Sequence, residues 1–187
     1  CSQSVRDLLA GLRPGMTGAV TLDGKPLAIR SYRDSIDNGV VYLSEDRKRY
    51  GLALPMDVEA NVVMASLRRF TGRLGRIRFG RTRTTTEEYV NSLAIKTPGI
   101  GQKVRNLSGG NQQKVCLAKS FATRPDLLFV SEPTRGIDVG AKYEIYTIIN
   151  RLVAAGKAVV IISSELPELL GTCDRIYTLA FGRMTGV

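Results

Sequence analysis

Hydrophobic positions along this chain fall into two rhythms. Short runs of four or five apolar residues, Val40-Val41-Tyr42-Leu43, Leu127-Leu128-Phe129-Val130 and Ala158-Val159-Val160-Ile161-Ile162, read as buried strands. The last of these is expected to be fully buried, as in a parallel sheet covered on both faces. Gly18 to Leu22 followed by Asp23-Gly24 predicts a strand and tight turn, and Arg175 to Leu179 a closing strand. Between the runs lies helical spacing. Val5, Leu8, Leu9 and Leu12 repeat on one face until Pro14-Gly15 stops them. Ser31 to Asp37 predicts a short helix closed by Asn38-Gly39. Asp57 caps a helix through about Phe70, with Val58, Val62, Ala65 and Leu67 as its apolar positions, and a further helix is expected over Thr84–Ile95. Ala141, Ile145, Ile148, Ile149 and Leu152 form a stripe behind Asp138, and Leu166 to Leu170 predicts one last short helix. Strands alternating with helices predict an α/β fold around a largely parallel sheet.

The helix behind Leu107-Ser108-Gly109-Gly110-Asn111-Gln112-Gln113-Lys114 carries candidate chemistry. Ser108 is a natural N-cap, and the glycines leave the first backbone N–H groups open to a ligand. Those N–H groups lack internal partners and sit at the positive end of the helix dipole, which suits an anion. An ordinary capped helix would read the same way over Ser-Gly-Gly alone. Val115, Leu117, Ala118 and Phe121 are expected to be buried, with Gln112, Lys114 and Lys119 in water. The run Leu127 to Val130 ends in Ser131-Glu132-Pro133-Thr134, which puts a carboxylate at the carboxyl end of a strand, where α/β sheets bind ligands.

These two stretches, in this order, resemble the ATPases of ABC transporters. Leu-Ser-Gly-Gly is that family's signature and the apolar strand ending in Glu132 its Walker B segment. The longer LSGGNQQK and EPTRGIDVGAK are similar to the second ATPase half of the sugar-importer subfamily, whose members carry ribose, xylose, arabinose or galactose. The resemblance implies a P-loop-NTPase-like core over residues 1–54 and 124–187, with an inserted helical lobe over 55–123 ending in the signature helix. It implies ATP and Mg²⁺ as cofactors and Glu132 as the group that orients or deprotonates water. Ser108, Gly109, Gly110 and Gln112 would grip, in trans, the γ-phosphate of ATP held by a facing ATPase domain. Glu45, in Ser44-Glu45-Asp46-Arg47-Lys48-Arg49, takes the Q-loop position; it could equally pair with Arg47 or Lys48 at the surface. Asp138 takes the D-loop position, or is an N-cap, or both. Ser164 stands where the family usually has a histidine.

Two departures bear on activity. Ser131 occupies the place of the Walker B Asp, so no metal-holding set is intact. No G-x-x-x-x-G-K-[ST] occurs, and Cys1, Ser2 and Gln3 fall where that loop would close, whether through truncation or degeneration. Losing one preorganised charge stabiliser costs roughly 10²–10³ in rate, so the chain alone is expected to hydrolyse ATP poorly. Three readings follow: the catalytic second ATPase domain of a sugar importer, a non-hydrolytic partner lending its signature, and a nucleic-acid-associated ATPase.

Composition narrows these. The absence of histidine among 187 residues excludes His-based catalysis and His metal sites. Three cysteines without pairing pattern fit a reducing cytoplasm, and no apolar run approaches the length of a bilayer span. The resemblance therefore implies a peripheral location on the inner face of the plasma membrane, docked on separate permease subunits and served indirectly by a sugar-binding protein. The net charge of +10 gathers in Arg68, Arg69, Arg73, Arg76, Arg78, Arg81 and Arg83. With only Phe70 and Phe79 interleaved, this reads as a solvated basic loop or one facing an anionic membrane, and no nucleic-acid partner is expected.

Overall fold

The computed structural model describes residues 20–27 and 29–186. The expected helix over Val5 to Leu12, and Cys1, Ser2 and Gln3, lie outside the described residues. Three parallel strands form the central sheet: β3 (Val40–Leu43), β4 (Leu127–Ser131) and β5 (Ala158–Ile162), in that order. Val40 pairs with Leu127 and Ser131 with Ile162. A hairpin of β1 (Thr21–Leu22) and β2 (Lys25–Pro26) turns through Asp23-Gly24, as the dipeptide predicts. Helix α1 (Tyr32–Asp37) is capped by Ser31 and closed by Asn38. Gly39, at φ +75°, then turns into β3, and a side chain there would strike Asp126.

Between β3 and β4 the chain is helical: α2 (Val58–Val63), α3 (Phe79–Ser92) and α4 (Gly109–Ala122), with 3-10 turns at Met64–Phe70 and Val104–Asn106. Helix α5 (Val139–Ala154) crosses from β4 to β5 behind its Asp138 cap, burying Ile145, Ile148 and Ile149 as their spacing predicts. Val41, Leu43, Leu128 and Val130 share one sheet face and join Val115, Leu117, Ala118 and Ile145 in a single core. Among the described residues no helix is long and apolar enough to cross a membrane.

Several expectations need correction. Strand β5 is not fully buried: it is the edge strand of the described sheet, and Val160, 40% exposed, lines an open cavity of about 1020 Å³ between the strand and the Leu169–Leu179 segment. The helix expected from Asp57 to Phe70 stops at Val63, where a tighter turn follows with Ser66 out of helical geometry. That turn leaves Leu67 outward and buries Ser66 and Phe70, while Asn61 is buried within the helix before it. Asn61 compensates by bonding both the N–H and the carbonyl of Ala53. Helix α3 spans Phe79–Ser92 instead of Thr84–Ile95, since Ala94 at φ +49° ends it and Ile95 turns into the core. Helix α6 (Leu166–Thr172) runs past Leu170, and the closing strand is a hairpin, β6 (Thr178–Ala180) with β7 (Arg183–Gly186).

The largest correction concerns α4. Gln112 and Lys114 do not stay wet: they are 6% and 2% exposed, because α4 is enclosed by α2, α3, β3 and α5. The Lys114 ammonium donates to the Ala94 carbonyl at 2.8 Å and pairs with Glu144 of α5 at 2.7 Å. Gln112 donates to the Val104 and Leu107 carbonyls. Lys119 is half-buried and donates to Gly51 at 2.9 Å; burial lowers its pKa. Beside it, burial pushes the Cys116 thiol up to about 12.

A buried charge that loses its partner is costly, whereas an apolar replacement of similar shape removes the cost along with the charge. Glu144→Ala should therefore cost about 1–3 kcal/mol, moderated because Glu144 is half in solvent, and Lys114→Met should cost less. Guanidinium unfolding curves measure both; an unchanged midpoint for Glu144→Ala would remove Lys114 from the set of anchoring contacts.

Candidate nucleotide-facing site

The site grows from three chain segments that end near one another. The first is the N-terminus of α4. Ser108 Oγ accepts from the Asn111 N–H at 3.4 Å and from Asn111 Nδ2 at 2.9 Å. Its own hydroxyl hydrogen remains to donate outward. The N–H groups of Gly109 and Gly110 precede the first internal helical bond. The two glycines differ. A Cβ on Gly110 would lie 2.7 Å from the Ala141 Cβ, so this glycine lets α4 and α5 approach. One on Gly109 would lie 2.9 Å from the Arg47 guanidinium.

The second segment is the turn after β3, where Asp46 caps a single π-helical turn, Arg47–Gly51. Arg47 donates to the Arg135 carbonyl at 3.0 Å and to the Gly136 carbonyl at 3.4 Å. Glu45 accepts from Arg135 at 3.3 Å, a partner other than the Arg47 or Lys48 that the surface alternative supposes. Arg47 thus stands between the signature turn and the segment after β4, a bridging role that its position beside Glu45 in the sequence does not announce.

The third segment is the end of β4. Ser131 is 3% exposed, and Glu132 follows it at φ +47°, a left-handed conformation unusual for a residue with a Cβ. Its N–H donates to the Ile162 carbonyl at 2.7 Å, and its Oε1 accepts from the Ser164 N–H at 2.8 Å. Ser164 therefore meets Glu132 through its backbone. Below them Glu168, 6% exposed, accepts from Thr134 at 3.0 Å and from Ser163 at short range, and Tyr146 donates to Thr134 at 3.4 Å. Burial raises the Tyr146 pKa. Sequence reasoning missed the roles of Glu168, Thr134 and Tyr146, which lie far apart in the chain; Thr134 stands inside the EPTRGIDVGAK stretch, while Glu168 and Tyr146 carry no local pattern. Asp138 caps α5 by accepting from Ala141 at 2.9 Å. Gln112, turned inward, holds the turn before Ser108 and does not line the exposed surface.

A family model described as ABC transporter matches residues 4–135. The chain belongs to the ABC transporter family. Its ATPase fold is that of solved cassettes: a nucleotide-free ATP-binding cassette from an ABC transporter superposes with a TM-score of 0.79 at 18% identity, over 98% of this chain and 74% of that one. A dimeric cassette in a post-hydrolysis state with ADP and Pi gives 0.72 at 17% identity, over 89% and 71%. In sequence, this ABC chain is 54% identical over 170 residues to a protein of Burkholderia cenocepacia (strain HI2424) named for ribose/galactose/methyl galactoside import ATP binding. It is 45% identical over 185 residues to the xylose import ATP-binding protein XylG of Moorella thermoacetica (strain ATCC 39073 / JCM 9320). The alignments cover 91% and 99% of this chain but 33% and 36% of those relatives, so it spans about a third of their length.

The two glycines predict opposite outcomes. Gly110→Ala should destabilise by about 1–3 kcal/mol, because it overpacks the α4–α5 contact. Gly109→Ala should cost less, within about 1 kcal/mol of the parent, since it shifts the Arg47 guanidinium and leaves the α4–α5 contact in place. Thermal melts separate them, and equal losses would contradict the packing difference.

Proposed function

We propose that this chain is part of the second ATPase domain of a carbohydrate importer and that it presents Ser108, Gly109 and Gly110 to ATP bound by a facing ATPase domain. The observation that carries the reading is the α4 N-terminus, exposed at Ser108 and part-exposed at Gly109, held beside Arg47 and the Gly136 carbonyl by a helix whose residues 112–118 are all buried. The sugar-import names of the relatives supply the cargo class. ATP fits this set: a hydroxyl and two amides at a helix N-terminus form charge-assisted bonds to a phosphate, about 1.5–3 kcal/mol each. Residues 55–123 act as a helical lobe that carries the signature, and 1–54 with 124–187 as the α/β core.

Glu132 is the proton acceptor in this reading. The Ser164 amide holds one carboxylate oxygen and leaves the other to orient a water against the γ-phosphate. Its left-handed backbone is the kind of local strain that marks functional positions. Glu45, salt-bridged to Arg135, links the turn after β3 to the segment that follows Glu132. Asp138, with exposed Val139 and Tyr143 beside it, lies on the surface offered to the partner domain. The family also implies Mg²⁺, and the described residues do not make a shell for it. A serine stands at the carboxylate position, and no group of three or more Cys, Asp or Glu side chains is gathered among them. No step is derived through the metal. The complete importer works at the inner face of the membrane, on permease subunits fed by a sugar-binding protein.

Ser131 favours a second reading, in which this domain lends its signature but does not hydrolyse. Both are tested in the full-length protein that carries this chain. Glu132→Gln should lower turnover by about 10²–10³ with ATP binding kept, and Gly109→Asp should lower it as far with an unchanged melting temperature. Turnover intact in Glu132→Gln but lost in Gly109→Asp selects the non-hydrolytic partner. Normal turnover in Gly109→Asp rules out the trans role.

A further inference from the structure

The arginine-rich stretch folds into a hairpin whose surface the ATPase chemistry does not use. Thr71 and Ile77 form an antiparallel bridge, closed by bonds from Gly72 N–H to the Arg76 carbonyl and from Arg78 N–H to the Phe70 carbonyl, each 2.8 Å. Gly75 N–H bonds the Gly72 carbonyl, which leaves Arg73 and Leu74 as the two central residues of a tight turn. Such positions favour Gly, Asn, Asp or Ser, yet Leu74 stands there 82% exposed, and Phe79 just beyond is 72% exposed.

Charge around this apolar tip has one sign. No Asp or Glu occurs between Glu59 and Glu87. Arg69 is committed to the Ala122 carbonyl and Arg83 to Glu87. Arg68, Arg73, Arg76, Arg78 and Arg81 are exposed, and among the described residues none is in a salt bridge. We propose that the 70–79 hairpin is a contact for an anionic phospholipid surface, with the arginines on the headgroups and Leu74, at the turn tip, entering the interfacial layer. An amphipathic surface element with arginines beside apolar side chains suits a headgroup boundary. A nucleic acid would satisfy the charge, but an aliphatic turn tip neither stacks on bases nor reads their edges. The inference is independent of the importer reading, since it rests on this hairpin alone.

Sedimentation of the full chain with vesicles tests it, using phosphatidylcholine alone and phosphatidylcholine mixed with phosphatidylglycerol. The chain should sediment with the mixed vesicles only, and less as salt rises. Arg73→Gln/Arg76→Gln should weaken partitioning by about fivefold per arginine, about twenty-five-fold for the pair. Leu74→Ser should weaken it while leaving the salt dependence unchanged, and melting temperatures should hold for both because the side chains are exposed. The proposal is overturned by equal sedimentation with neutral vesicles or by none with anionic ones. It is equally overturned by a partition that ignores either variant, or by tighter binding to single-stranded RNA on which Leu74→Ser has no effect.

Discussion

A single buried ammonium organises the helical half of this molecule. Lys114 lies in the middle of α4, 2% exposed, and its ammonium takes its partners from neighbouring elements of the protein. The carbonyl of Ala94, beyond the end of α3, answers from one side and Glu144 of α5 from another. The contact therefore fixes three elements at one point, with α4 at the centre. An apolar residue there would fill the space but would not specify which carbonyl and which carboxylate meet it. Because α4 cannot rotate without stranding that charge, its N-terminus has one direction, and the direction of Ser108 is what any phosphate contact depends on.

The other half of the site is positioned by backbone. Glu132 takes an unfavourable conformation at the end of β4, and two bonds pin it there, one from its own amide to the neighbouring strand and one from Ser164 to its carboxylate. Beneath, the Glu168 carboxylate gathers hydroxyls from Thr134 and Ser163, so the loops after β4 and β5 are joined twice. A rigid carboxylate with one oxygen free is the arrangement that positioning of a reactant requires.

Much of this was legible in the sequence, and what was not has a physical pattern. Val40 to Leu43 and Leu127 to Val130 declare themselves because a buried strand admits little but apolar residues. Asp57, Ser108 and Asp138 declare helix starts because capping is local chemistry. Lys114 and Gln112 mislead because polarity normally predicts exposure; their burial depends on the carbonyls of Ala94, Val104 and Leu107, which the neighbouring turns aim at them. The Arg135 partner of Glu45 has no local sign for a related reason, since it comes near only after β3 and β4 pair. Val160 errs in the opposite sense: an apolar run reports a preference for burial, and it does not report that the strand lies at the sheet edge beside an open cavity. The arginine stretch reads as a loop by composition, yet its last residues start α3 because arginine itself is a good helix former.

The bond from Arg47 to the Arg135 carbonyl has a consequence for how the protein is made. The donor precedes its acceptor by 88 residues. Chain emerging from a ribosome passes through all of α2, α3 and α4 before that acceptor exists. Contacts of short sequence separation form fastest, so the helices can pack first, around one another, while the turn after β3 waits. Only when β4 and the turn beyond it have been synthesised does Arg47 find its carbonyls and bring Gly109 and Gly136 together. The signature is thus finished as a helix early in synthesis and finished as a site late.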